Sequence, residues 1–165
     1  MAEIEWKGAI WKAAVGDLSI KDLLTTLKGY GPTEILEFDK SGGSRGQISL
    51  CLSEDGVREV TIHDLKICGG KRKGSGRKAV RWLRTIFKGD VYVDYPEFSS
   101  KEEALTASLP FWVKMYREGF IDGLEGGIYR LYPEMDEAQI NRIEQDINSL
   151  LSFNRAASGG DESQR

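Results

Sequence analysis

Six consecutive residues, Lys71-Arg72-Lys73-Gly74-Ser75-Gly76, place three cations and two glycines directly ahead of a segment with helical periodicity. The chemistry open to such a stretch is anion binding. The first N–H groups of a helix have no partner within it, and the aligned peptide dipoles add partial positive charge at that end. Gly74 and Gly76 carry no side chain to hold an anion away from the backbone. Lys71, Arg72, Lys73 and Arg77 add charged donors. A phosphate or pyrophosphate suits all of these groups; a solvated basic helix behind a flexible turn is the plainer alternative.

The segment ahead of this loop carries groups suited to proton transfer. Glu59, Thr61 and His63 alternate on one side of an extended stretch, opposite Val60 and Ile62, and Asp64 follows. His63 is the only histidine, which excludes a multi-histidine metal site. Cys51 and Cys68 fit no metal-ligand spacing, and nothing points to secretion, so both read as reduced thiols of a cytosolic protein.

Two nucleotide motifs fail on this loop. Gly69 and Gly74 have the spacing of a P-loop, but Ser75 stands where its lysine belongs. Gly74, Gly76 and Ala79, with Asp94 beyond them, imitate a dinucleotide fingerprint. That pattern sits mid-chain, behind a run of antiparallel-type strands, with too little sequence after it to complete a doubly wound sheet.

The charge balance sharpens the ligand class. The 165 residues carry a net charge of −3, yet residues 66–88 hold nine Lys or Arg and no acid, which leaves −12 on the rest. A positive field confined to one loop and helix suits a small polyanion better than a long nucleic acid. The acidic N-terminus lacks the apolar core of a signal peptide, and no apolar run approaches membrane-spanning length.

The elements that must position these groups follow from periodicity. Residues 6–15 read as a strand. Residues 17–28 read as a helix with Ser19 and Asp22 as a capping box and Gly29 and Gly31 at its end. Strands follow at 34–39, 47–52 and 57–67, joined by turns at Ser41-Gly42-Gly43-Ser44 and Glu54-Asp55-Gly56. In the last of these, Leu65 and Ile67 are out of phase with Val60 and Ile62. One extra residue near His63-Asp64, a β-bulge, would keep both pairs on the same face; two separate strands are the alternative. The helix at 77–87 buries Ala79, Val80, Leu83, Ile86 and Phe87. A strand at 91–95 comes next, and the helix between it and 57–67 makes that pair parallel. Ser100 and Glu103 cap a short helix that Pro110 restarts, with Gly119 as its end. A strand at 128–132 and a helix at 136–153 complete a single domain over residues 1–155. Residues 156–165 are small and polar and read as a disordered tail. The fold class is mixed α/β (α+β), a mostly antiparallel central sheet flanked by helices.

The basic loop with Arg77-Lys78-Ala79-Val80-Arg81-Trp82-Leu83 behind it resembles the acetyl-CoA signature of the GNAT acetyltransferase superfamily. Phe111-Trp112-Val113-Lys114-Met115 with Gly119-Phe120 is similar to that family's second CoA-side helix. The bulge at His63-Asp64 fits as well, and the resemblance covers roughly residues 17–132. It departs from the pattern at Lys71, which stands for Arg or Gln, and at Tyr116-Arg117-Glu118, which reads as an insertion.

The resemblance implies a cosubstrate, acetyl-CoA. The backbone from Leu65 through Ile67 to Cys68 would pair with the pantetheine arm. Lys71, Arg72, Lys73, Gly74, Ser75, Gly76 and Arg77 would hold the pyrophosphate, with Arg77, Lys78 or Arg81 reaching the 3′-phosphate. An amine, on a small molecule or a protein, would attack the thioester directly. The candidate bases are Glu59, His63 and Asp64, and histidine titrates nearest neutrality. Tyr116 is the candidate acid. Asp94 would orient the amine, and acceptor choice would lie near residues 28–32 and 123–127. The apolar stripe of the last helix can pack on its own domain or pair across a homodimer axis. Three further readings remain beside this one: a CoA-binding module without turnover, a dinucleotide-binding protein, and an RNA-binding protein, which the acidic remainder disfavours.

Overall fold

The computed structural model describes residues 3–13, 17–41, 43–67, 74–94, 108–125 and 129–162. The chain divides into two compact units, Met1–Asp94 and Tyr95–Arg165.

The first unit runs β1 (Ile4–Trp6), β2 (Ala9–Ala13), α1 (Asp17–Thr26), β3 (Gly31–Pro32), β4 (Leu36–Lys40), β5 (Ser44–Ser53), β6 (Gly56–Ile67), α2 (Ser75–Phe87) and β7 (Asp90–Asp94). Its strands form one open sheet in the order β1-β2-β4-β5-β6-β7, with β3 laid against β5. Every pairing is antiparallel except β6 with β7, which is parallel because α2 crosses between them. The mixed, mostly antiparallel sheet expected from the element order is therefore present.

Two boundaries differ from the periodicity reading for backbone reasons. The strand read over residues 6–15 is two strands, because Lys7 (φ 52°) and Gly8 (φ 83°) form the turn of a tight hairpin between Trp6 and Ala9. Helix α1 stops before residue 28 because Leu27 turns left-handed (φ 48°), its N–H bonding the Leu23 carbonyl at 2.8 Å.

The core lies on one face of the sheet. Trp11, Leu36, Phe38, Ile48, Leu50, Val60 and Ile62 are all buried there. Helix α2 covers part of this face with Ala79, Val80, Leu83 and Phe87. Trp11 is fully buried, with Trp6, Phe38, Trp82 and Phe87 ring centroids within 5.5–6.0 Å. Helix α1 buries Ile20 and Leu24.

The phase change in β6 is a bulge. Ile62 pairs with Ile48, but Asp64 pairs with Gln47, so His63 is the extra residue. Leu65 then pairs with Gly46 and Ile67 with Ser44, in the row of β5 that carries Ile48 and Leu50, although Leu65 is only partly buried and Ile67 is 36% exposed. Gly46 is what admits the bulge, for a Cβ there would lie 2.3 Å from the Asp64 carbonyl oxygen and 3.1 Å from the Phe38 ring.

The second unit holds α3 (Leu109–Arg117), β8 (Gly123–Glu125) and α4 (Glu137–Glu162). Pro110 sits in the first turn of α3, and Gly119 (φ 80°) follows its end. The Phe120 N–H reaches the Met115 carbonyl at 2.9 Å across that left-handed glycine, as a helix C-terminus of this type requires. The helix read from Ser100 and Glu103 lies outside the described residues. The strand read at 128–132 reduces, among the described residues, to one bridge between Leu131 and Leu124, with both N–H groups bonded across it. Helix α4 starts as expected, with Asp136 Oδ1 accepting from the Ala138 N–H at 3.0 Å. It runs on to Glu162, past the end of its apolar stripe and through much of the segment read as a tail. Ile140, Ile143 and Ile147 are buried without a second copy of the chain. Among the described residues no helix is long and apolar enough to cross a membrane.

Arg117 ties α3 to α4. Its guanidinium bonds Glu144 at 2.7 Å and Asn141 at 2.7 Å and also pairs with Glu137. The Glu144 and Glu137 carboxylates hold it above the ordinary arginine range. Arg117→Ala should cost about 1–2 kcal/mol, the worth of a partly exposed charge-assisted cluster, read as a lower urea midpoint. Arg117→Lys should recover less than half, since an ammonium cannot fork across three partners. Equal stability of Arg117→Ala and the parent would overturn this.

Candidate functional site

The face of the sheet opposite the core carries the polar residues of β5, β6 and β7. Alternation puts Ser49 and Cys51 of β5 there, with Glu59, Thr61 and His63 of β6 and Tyr92 and Asp94 of β7. Ser49 lies opposite Thr61, and Thr61 lies beside Tyr92.

Three of these side chains form a hydrogen-bonded chain. His63 Nε2 lies 2.8 Å from Ser49 Oγ, and His63 Nδ1 lies 3.1 Å from Asp94 Oδ2. A carboxylate only accepts, so Asp94 fixes a proton on Nδ1, and in the neutral ring Nε2 accepts the Ser49 hydroxyl. The His63 side chain is 24% exposed, whereas Asp94 is 59% exposed, so the ring is largely shielded while its far partner is wet.

The bulge creates this arrangement. In a regular ladder residue 63 would face Gln47, as Ile62 faces Ile48. The bulge gives that place to Asp64, and the displaced histidine reaches Ser49 instead. On its other side β6 pairs with β7 only from Glu59↔Asp90 to Ile62↔Val93, which leaves Asp94 at the end of the ladder beside His63.

The other candidate residues separate by position. Glu59 stands opposite Cys51 and beside Asp90, one step of the ladder away from the Ser49 row; the carboxylate that meets His63 is Asp94. Asp64 lies 3.7 Å from Lys66. Tyr116, in the second unit, donates its hydroxyl to the Tyr132 carbonyl at 2.6 Å and accepts from the Met135 N–H at 3.3 Å. Its proton is thus committed to the backbone ahead of α4. Leu65 and Ile67 close β6. Cys68, Lys71, Arg72 and Lys73 lie outside the described residues. Gly74 (φ 87°) opens α2 with open space where a Cβ would stand, and Ser75, Gly76 and Arg77 form its first turn. The N-cap residue, Gly74, has no side chain to cap this end, and the first turn holds no acid. Cys51 is a free thiol.

Among the described residues of the first unit, hollows open on both the polar face and the side of α1. One, of about 260 Å3, opens on the polar face between Ile10, Lys12, Glu37, Asp39, Gln47 and Asp64. It adjoins the site through Gln47 and Asp64, the pair at the bulge. The other, of about 290 Å3, lies against α1 and is lined by Ile20, Leu23, Tyr30, Leu36 and Leu52. Tyr30 there donates to the Glu54 carboxylate, which raises the phenol above the usual tyrosine range. Among the described residues no three His, Cys, Asp or Glu side chains gather as a metal site.

Ser49 is the residue that sequence reasoning did not single out. Its only signal is the alternation of Gln47, Ser49 and Cys51 against Ile48, Leu50 and Leu52. No family model, curated protein or solved structure matches the chain.

Proposed function

We propose that the protein is an N-acetyltransferase of the GNAT type, binding acetyl-CoA along the end of β6 and the start of α2 and acetylating a primary amine. The observation that carries this reading is the crossover itself. A bulged strand is followed by a helix that opens on Gly74 and by a parallel strand, and the pairing between the two strands ends at Ile62↔Val93. The backbone at Leu65 and Ile67 would bond the pantetheine amides as an added strand does. The first turn of α2, from Ser75 through Gly76 to Arg77, would hold the pyrophosphate, with Lys71, Arg72 and Lys73 adjoining it.

In this reading His63, held by Asp94, removes the ammonium proton of the acceptor. The neutral amine attacks the thioester carbonyl carbon, the C–N bond forms as the C–S bond breaks, and the nitrogen's surplus proton leaves with the thiolate. The engaged hydroxyl of Tyr116 favours a second reading, a CoA-binding module without turnover. We take either activity to be cytoplasmic.

Thermal unfolding with CoA, acetyl-CoA, NAD and a short RNA tests the ligand. At a hundred-fold excess over the dissociation constant, CoA should stabilise the protein by about 2.7 kcal/mol. No shift with CoA would overturn both readings. CoA release in the presence of an amine panel then separates the enzyme from the module.

A further inference from the structure

Both nitrogens of His63 have partners on the sheet, Nε2 the Ser49 hydroxyl and Nδ1 the Asp94 carboxylate. The group that this chain of bonds presents is therefore the Ser49 hydroxyl, with its proton already directed at Nε2. A hydroxyl within hydrogen-bond reach of a base, the base in turn held by a third group, is the arrangement that activates a nucleophile. Here the three parts come from three adjacent strands, at 2.8 and 3.1 Å, and the bulge in β6 is what aims the ring.

We propose that Ser49 is a nucleophile and that the protein cleaves activated acyl esters and thioesters through an acyl-Ser49 ester. Ser49 Oγ attacks the acyl carbon and its proton passes to His63 Nε2. The C–O or C–S bond to the leaving group breaks, and His63 returns the proton to the departing oxygen or sulfur. Water, or an amine, then attacks the acyl-Ser49 carbonyl and gives its proton to His63 as the Oγ–C bond breaks and the serine is restored. Asp94 is a positioning residue: it fixes the tautomer and stabilises the imidazolium in both steps. This activity goes beyond the acetyltransferase reading and does not need coenzyme A to bind.

The test uses the full chain with p-nitrophenyl acetate and, separately, with a fluorophosphonate whose serine adduct does not hydrolyse. Both reagents should modify Ser49, located by peptide mass mapping of the wild-type protein, so the result does not depend on any variant folding. Ser49→Ala should lose the modification, and His63→Gln should slow acylation by about 100- to 10,000-fold. Asp94→Asn should slow it by a similar order through the wrong tautomer, with the circular dichroism spectrum unchanged. Cys51→Ser, two residues away on the same face, should leave acylation intact. Wild-type protein unmodified at Ser49, or labelled on Cys51 or a lysine instead, overturns the proposal. A parallel arm with acetyl-CoA and an amine keeps the two readings apart. Ser49 acylation by the ester with no response to acetyl-CoA upholds the nucleophile and removes the acetyltransferase. Amine acetylation that persists in Ser49→Ala, with no label on wild-type Ser49, does the reverse.

Discussion

Trp11→Ala should lower stability by about 3–5 kcal/mol, the cost of deleting a large, fully buried aromatic side chain. That is about a fifth or more of the ~5–15 kcal/mol that holds a typical domain folded. Trp11 is the hub of the core, in ring contact with Trp6, Phe38, Trp82 and Phe87. Its indole N–H also donates to the Trp6 carbonyl at 2.9 Å, which ties β2 back to β1. Alanine removes ring contacts from two strands and a helix at once and leaves a void that backbone hydrogen bonds keep from closing. For a chain of this length the melting temperature should fall by roughly 6–20 °C, and near-ultraviolet circular dichroism from the indole cluster should weaken. Trp82→Ala, at a half-buried position, should cost less. Equal losses at the two positions would show that the cluster has no hub.

Gly46→Ala should be nearly as severe in stability, and its consequences should reach the site. A Cβ at position 46 would sit 2.3 Å from the Asp64 carbonyl oxygen, a backbone atom that cannot swing aside as a side chain would. The Phe38 ring, 3.1 Å away, closes the other direction. Relief requires β5 and β6 to separate at the bulge, which strains pairing on both sides. A cost of about 2–3 kcal/mol follows from the usual range for overpacked positions. Asp64 adjoins His63, so the same displacement should pull the imidazole away from Ser49. Acylation of Ser49 by p-nitrophenyl acetate, measured well below the melting transition, should fall with the stability. A Gly46→Ala protein as stable as the parent would mean that the bulge relaxes freely. One that is destabilised but acylates normally would uncouple the bulge from the histidine.

How far the sequence anticipated this site depends on the range over which each signal acts. The bulge was legible because it shifts the phase of a local pattern: Val60 and Ile62 against Leu65 and Ile67 lie within eight residues of one another. The parallel return of β7 was legible because a long amphipathic helix between two strands leaves little other choice. Ser49 was not legible, since a serine on the polar side of a strand carries no mark of its own. Its partner lies 14 residues away, and the third member another 31 beyond that. Asp94 could be placed at the end of its strand, but its contact with His63 depends on a register that only the folded sheet sets. The Lys7-Gly8 hairpin was missed because lysine seldom takes a positive φ, and turn prediction relies on Asn, Asp or Gly at that position. The extent of α4 was missed because periodicity reports burial, and that helix continues after its apolar stripe has ended.

The short hairpin at the start of the sheet also bears on how the molecule behaves in a crowd of its own kind. The outermost strand of a sheet offers unpaired amides to any chain that drifts alongside, and long, flat, apolar outer strands recruit copies into fibres. Here that position belongs to β1, three residues long, with the exposed carboxylate of Glu5 at its centre. Glu3 just ahead of it reaches back to Lys12 on the neighbouring strand at 2.8 Å. The tight turn at Lys7-Gly8 ends the strand after Trp6. A stray chain would find only a few bonds to make there before reaching a charge or a bend, so the edge guards solubility while the indole side of the same hairpin builds the core.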